Sequence, residues 1–476
     1  MLFIGLDIGT QGARCVAVDE KGQVAASASK SFAQLNCAAQ TGWREQNPQD
    51  WWEAAAQVLR AVCAQVPSDE IRAVTIDGTS GTVVPLDAEN HPIGNALMYD
   101  DARSRPQAAL LQESKVADAH QALHGYRIGA SFALPKIRWC IDRGLEAARY
   151  ANQADYIVGL LTGEYGVTDY ANALKMGYDL VNLRWDDYIA AYGVDKQMLP
   201  RVIACGEVIA PVTAAASLET GLPTGTPVCA GATDSYASSL AAGLAGPGDW
   251  ASVLGTTLAL KGITENILLD KTGSVYCHKH PQGWWMPGGA SNAGGRYLNE
   301  HFGKDRFAEL NQKAQGVSLP TGGLCYPTTG IGERFPFDAP SMKPFREVSG
   351  QEEAHYVAAM EGVGYVERMA YENLEKMGAA VGQRIFTAGG GCRSDLWLSI
   401  RATILNRQLH VPRYMDAAVG CAMLAAARMH YRNLREAVTN MCEIVRTADP
   451  IPGLKAQYDE VYAAFCAQCE QAAKQN

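Results

Sequence analysis

Apolar and polar positions follow two rhythms along this chain of 476 residues. In FIGLDIGTQGARCVAV, residues 3–18, two apolar, β-prone runs at 3–6 and 15–18 flank a polar, glycine-bearing segment, which predicts a β-hairpin. A further strand is predicted over 24–31. The rhythm then becomes helical: Asn47 followed by Pro48 is a helix-start signal, and 51–66 carries apolar residues at helical spacing. A strand at 73–76 runs into Asp77-Gly78-Thr79-Ser80-Gly81-Thr82, and 83–86 is strand-like again. From 106 to 200 the pattern is mainly helical, with helices near 106–112, 134–143 and 154–162. A strand and turn at 227–234 precede a small-residue helix at 235–245.

The opening order then returns. ASVLGTTLALKGI, residues 251–263, is again strand, Gly-Thr turn, strand, and a long helix at 355–377, a strand at 384–387 and Gly389-Gly390-Gly391 follow. A duplicated unit is the economical explanation. Beyond Pro450 one amphipathic helix is predicted, docking on the body or, in a homodimer, on a second subunit.

Composition narrows the chemistry. A hydrophobic share of 47%, 47 glycines and 19% charged residues suit a soluble α/β enzyme, and the length allows roughly two to four domains. A formal net charge of -9 offers no basic field for nucleic acid or an anionic membrane, so small-molecule partners are expected. With no signal-peptide pattern and no long apolar run, cytoplasmic residence is the expectation. The 13 cysteines are scattered through apolar stretches, as buried reduced thiols would be. Cys466 and Cys469 lie in a helical pattern without a second ligand pair, and His278 and His280 alternate as on a polar strand face, so neither pair reads as a zinc site.

The candidate chemistry clusters after strand ends, where open α/β sheets bind ligands. A Gly-Thr hairpin can present open backbone N–H groups to phosphate, and Asp7 beside it calls for a cation, Mg²⁺ in nucleotide sites. The alternative for Asp7 is a cap on its own turn. Hydroxyls and a carboxylate in Asp77–Thr82 suit a polyhydroxylated ligand, or an ordinary polar turn. Asp100, Asp101 and Arg103 could bond sugar hydroxyls or form a solvated loop. Asp234 stands where a helix cap would, or where a carboxylate could accept a proton from a bound hydroxyl. The glycines at 389–391 suit adenosine lying on bare backbone, or tight packing of a strand against a helix. No GxGxxG, Walker or protein-kinase signature is present.

Taken in order, GLDIGTQGAR, GWREQNPQDWW, GATDSYASSLAAG, SVLGTTLALKG, TAGGGCRSDLW and AAVGCAMLAAA resemble the FGGY carbohydrate kinases of the actin-like ATPase superfamily, over most of the chain. IDGTSGT, DYANALKMGYD and GERFPF look most like the ketopentose-kinase members, particularly those similar to D-ribulose kinase, alongside xylulose kinases. The resemblance implies an α/β fold with two actin-like (ribonuclease H-like) domains around a deep catalytic cleft: residues 1–245 mainly for sugar, and 246–476, with the helical tail, mainly for ATP. It implies MgATP-dependent phosphorylation of a terminal hydroxyl, D-ribulose favoured, with D-xylulose, L-ribulose or a pentitol as alternatives. Asp234 would be the catalytic base and, with Asp7, would hold Mg²⁺ and face the substrate. Thr10, Gly255, Thr256 and Thr257 would contact phosphates, Gly390, Gly391 and Ser394 would line the adenosine site, and Ser80 and Asp101 would contact sugar. Two departures stand out. Gly78-Thr79-Ser80-Gly81 replaces the Met-His-Gly segment typical of xylulose kinases, and Asp416 replaces a Glu common near the last glycine-alanine helix. An actin-like ATPase that acts in protein binding and a non-catalytic sugar sensor are the readings from other classes.

Overall fold

The computed structural model describes residues 1–38, 40–270 and 272–474. Its contacts divide the chain into two units. Unit 1 holds Met1–Ala241, His278–Trp285 and Tyr414–Glu443; unit 2 holds Ala242–Cys277, Met286–Arg413 and Ile444–Asn476.

In unit 1 the hairpin expected at the start is strands β1 (Leu2–Ile8) and β2 (Gly12–Asp19), followed by β3 (Val24–Ser31). Helix α1 (Pro48–Cys63) starts as its sequence directs, with Pro48 in the first turn and the Asn47 side chain accepting from Gln49 N–H. Strand β4 (Ile71–Gly78), helix α2 (Gln153–Thr162), strands β5 (Val208–Pro211) and β6 (Pro227–Thr233) and helix α3 (Asp234–Ala241) complete the frame. The sheet order is β5-β6-β4-β1-β2-β3. The first three strands are antiparallel neighbours, whereas β4 runs parallel to β1 and β6 parallel to β4. Strand β1 is apolar almost throughout because both its faces are covered. The helix Ala417–Met429 lies against β1, β4 and α3. Gly5 makes that approach possible, since a Cβ there would fall 1.7 Å from the Ala418 carbonyl oxygen.

Unit 2 repeats the arrangement. Strands β7 (Trp250–Leu254), β8 (Leu258–Gly262), β9 (Tyr276–Lys279), β10 (Trp285–Ser291), β11 (Arg384–Ala388), β12 (Gln408–Pro412) and β13 (Ile444–Ala448) form a sheet ordered β9-β10-β8-β7-β11-β12-β13. Within it β10, β8 and β7 are antiparallel neighbours, β11 is parallel to β7 and β12 to β11, the same sequence of pairings as β3-β2-β1-β4-β6. Two α/β units on this mixed sheet are the ribonuclease H-like, actin-like ATPase fold. The order thus carries the duplication that the recurring Gly-Thr hairpins suggested. Helices α4 (Gly295–Phe302), α5 (Phe307–Ala314), α6 (Glu352–Lys376) and α7 (Asp395–Leu405) pack in this unit, and its tail ends in the helix Lys455–Lys474.

Three expectations shift. A single cut at 245/246 leaves out the return of residues 414–443 to unit 1, where the helix Ala417–Met429 covers β1 and β4; residues 278–285, which join β9 to β10, are also grouped with unit 1 although those strands belong to the second sheet. The stretch 106–200, expected mainly helical, also holds the short strands Arg149–Ala151 and Val167–Asp169. His278 and His280 are not a polar face: both are buried, and burial pushes the His280 imidazole down to about 3, so it is neutral. The cysteines described are all free thiols, most of them buried. Among the described residues no helix is long and apolar enough to cross a membrane.

Candidate functional site

Each unit contributes one site. In unit 1, Asp7 on β1 and Asp77 on β4 stand opposite each other in the parallel register, and their side chains hydrogen-bond. Burial pushes the Asp7 carboxyl up, against the bond from Asp77 and the charge of Arg14, which both pull it down. Asp77 is pushed much further up, by burial first and then by the charge of Asp7. Asp77 Oδ2 also accepts from the Cys421 thiol at 3.0 Å. Arg14 pairs with Asp416 and lies opposite Asp7 in the β1–β2 register, which gives Asp416 a structural place beside the site.

Asp234 is the first residue of α3, where its Oδ1 accepts from Ser235 N–H at 2.6 Å. Its charge is near enough to raise Asp77, so Asp7, Asp77 and Asp234 form one acidic group at adjoining strand ends. Asp7 Oδ1 and Asp77 Oδ1 are both buried with no donor on them apart from the bond between the two carboxyls. A carboxylate oxygen left in that state fits a cation ligand. Among the described residues no group of three or more His, Cys, Asp or Glu side chains could hold an ion alone; a Mg²⁺ here would take most of its ligands from waters and substrate phosphates.

The turns differ from the bare cradle expected of them. Gly9 N–H is spent within its hairpin on Gly12 O, and Gly255 N–H on Thr257 O. Thr10 is held through its carbonyl, which accepts from Gln46 Nε2 at 2.8 Å, while Trp51 Nε1 donates to Gln46 Oε1. Of the Asp77–Thr82 segment, Thr79 and Thr82 hydrogen-bond each other at 2.6 Å, and Thr79 also bonds Gln153. Ser80 Oγ alone among these hydroxyls is buried with no partner. Asp101 is not free for sugar. Its buried carboxylate accepts from Arg44 N–H at 2.6 Å and from Arg103 Nε and Nη2 at 2.9 and 2.7 Å. Arg103 is itself stacked 3.7 Å from the Trp43 ring centroid, so Asp101 fixes a buried cation instead of facing a ligand.

In unit 2 a cavity of about 400 Å³ opens between the Gly255-Thr256 turn and the Gly390–Arg393 turn. Gly255, Thr256, Gly390, Gly391 and Ser394 all line it; Thr257 does not. A Cβ at Gly255 or Gly390 would meet nothing within 4 Å, so those side chains would project into open space. Gly389 is needed for a different reason: its φ is +89°, and a Cβ would come 2.4 Å from the Leu254 carbonyl oxygen. Lys304, Asn311, Tyr356 and Trp397 also line the cavity; Trp397 closes the TAGGGCRSDLW motif, and the other three were not legible as site residues from motif spacing. Asp77 and Gln46 were within motifs singled out in the sequence, but only the register and the bonding pattern give them places.

Paired ribonuclease H-like units, one carrying strand-end carboxylates and one a glycine-walled cavity, are the frame of a sugar-kinase ATPase. Residues 2–241 match the N-terminal domain of the FGGY family of carbohydrate kinases and residues 248–429 match its C-terminal domain. The chain belongs to that family and is an ATP-dependent carbohydrate kinase. It is 30% identical over 439 residues to a xylulose kinase of Streptomyces coelicolor, covering 89% of this chain and 87% of that one. To a gluconokinase of Bacillus licheniformis it is 26% identical over 446 residues, covering 89% and 86%. The solved xylulose kinase of Rhodospirillum rubrum superposes with a TM-score of 0.89 at 29% identity, covering 99% of each chain.

Proposed function

We propose that this kinase transfers the γ-phosphoryl group of ATP to the terminal hydroxyl of a ketopentose, with D-xylulose the first acceptor to test. The relatives named as xylulose kinases, similar along nearly the full chain, carry this reading and favour D-xylulose over the D-ribulose expected from the motifs. Gluconokinases are relatives too. D-ribulose remains the second reading, on one observation: Gly78-Thr79-Ser80-Gly81 stands where xylulose kinases typically have Met-His-Gly, and Ser80 Oγ is left without a partner.

In this reading Asp234 accepts a hydrogen bond from the attacking hydroxyl and takes its proton as the phosphoryl group moves. Phosphoryl transfer through a loose transition state asks chiefly for positioning, which a carboxylate fixed at a helix start provides. Asp7 would hold Mg²⁺, with Asp77 and Cys421 behind it fixing the carboxylate. When bound, that ion supplies charge neutralisation at the β- and γ-phosphate oxygens. Thr10 and the Gly255-Thr256 turn would contact phosphates, and Gly390, Gly391 and Ser394 would border the adenosine. The test is ADP release with D-xylulose, D-ribulose, L-ribulose, pentitols and gluconate, with and without Mg²⁺. Turnover fastest on gluconate, or equal without any sugar, would defeat the proposal.

A further inference from the structure

Asn311 sits in the wall of the unit 2 cavity at the centre of a hydrogen-bond fork. Ser394 Oγ donates to Asn311 Oδ1 at 3.0 Å and Tyr356 OH donates to the same oxygen at 3.3 Å. Ser394 Oγ also accepts from Trp397 N–H at the start of α7, which holds the hydroxyl in place. Asn311 Oδ1 is therefore occupied by two hydroxyls, one of them on a buried tyrosine. The amide is clamped with its other end, the Nδ2 group, unused: no described residue accepts from it. Asn311 is half-buried and borders the cavity, as do Ser394, Tyr356 and Trp397.

An amide held this way can only donate. A pair of N–H donors beside Leu298, Phe307, Tyr356 and Trp397 suits a flat heterocycle with ring-nitrogen acceptors, whereas the cations Lys304 and Arg393 in the same wall are the better match for phosphate. We infer that Asn311 is the nucleobase-reading residue of this kinase, its clamped Nδ2 group donating to a ring nitrogen of the purine of the phosphoryl donor. The inference rests on the reading of this cavity as the nucleotide site. It assigns Ser394 a second role, since the serine that borders the adenosine also orients the amide that reads it.

Asn311→Asp separates recognition from bracing. The aspartate keeps an oxygen for Ser394 and Tyr356 but replaces the donor pair with an acceptor facing the ring nitrogen. Asn311→Ala removes both. The measurement is KM for ATP at saturating sugar, together with the inhibition constant of adenosine, which carries no phosphate for the new anion to repel. In the wild-type enzyme adenosine is expected to compete with ATP. In both variants KM for ATP and the adenosine constant are expected to rise about tenfold, with kcat and KM for sugar within about twofold of wild type. A wild-type adenosine constant in Asn311→Asp would overturn the assignment and leave Asn311 as a brace for Ser394 and Tyr356. Failure of adenosine to compete with ATP in the wild-type enzyme would instead overturn the reading of the cavity.

Discussion

Asp234 accepts from the backbone of its own helix start, so its carboxylate is fixed before any substrate arrives. Asp234→Asn keeps the shape and loses the ability to take a proton. Sugar-dependent ADP release is expected to fall by about 10²- to 10⁴-fold, with KM for ATP little changed, in a coupled assay. Asp155 shows a different use of a carboxyl. Its side chain accepts from Asn152, which favours the anion, but burial and the charge of Asp169 win and push it up to about 7. The unfolded chain loses that proton near pH 4, so between about pH 4 and 7 the folded state binds more protons. Its contribution to stability is present below that window and is lost as pH rises through it. Thermal melts at pH 5 and 7 should therefore show a smaller loss of melting temperature with rising pH in Asp155→Asn than in wild type. Glu361, also pushed up to about 7 by burial, acts in the same direction and keeps some of the slope in the variant.

At the scale of elements, the cavity of unit 2 exists because two turns carry glycine where any side chain would stand in it. Gly390→Val places a branched side chain in that space, and KM for ATP is expected to rise tenfold or more while KM for sugar holds, in initial-rate measurements. Helices α6 and α7 are tied by a different device. The Arg401 guanidinium bonds Glu367 at 2.7 and 2.9 Å, and both residues are fully buried. Arg401→Leu strands the Glu367 charge, and a loss of about 3–5 kcal/mol is expected in the denaturant transition. Arg401→Leu with Glu367→Leu should recover most of it. Neither residue drew notice in the sequence, because a lone Arg inside an apolar helix pattern gives no hint of the partner on another helix.

For the whole molecule, what could be read in advance was whatever local pattern encodes. The Gly-Thr hairpins, the strands after which the carboxylates fall and the start of α1 at Asn47-Pro48 all lie within a few residues of their signals. Asp101 misled because exposure cannot be read from LMYDDARSR; only the fold reveals that Trp43 and Arg103 enclose it. Asp77, Gln46 and Asn311 gain their places from partners far along the chain. The return of the helix Ala417–Met429 to unit 1 is the extreme case. Gly5 and Ala418 touch across more than four hundred positions, and neither has meaning without the other. During synthesis this order has a cost in time: a ribosome that has finished residue 241 has made every strand of the first sheet, yet the nascent strand β1 still shows bare backbone at Gly5. The first sheet must wait for residues 417–429 to be made before Gly5 is covered, and a chain stalled between the two leaves that stretch of β1 open to chaperones or to its neighbours.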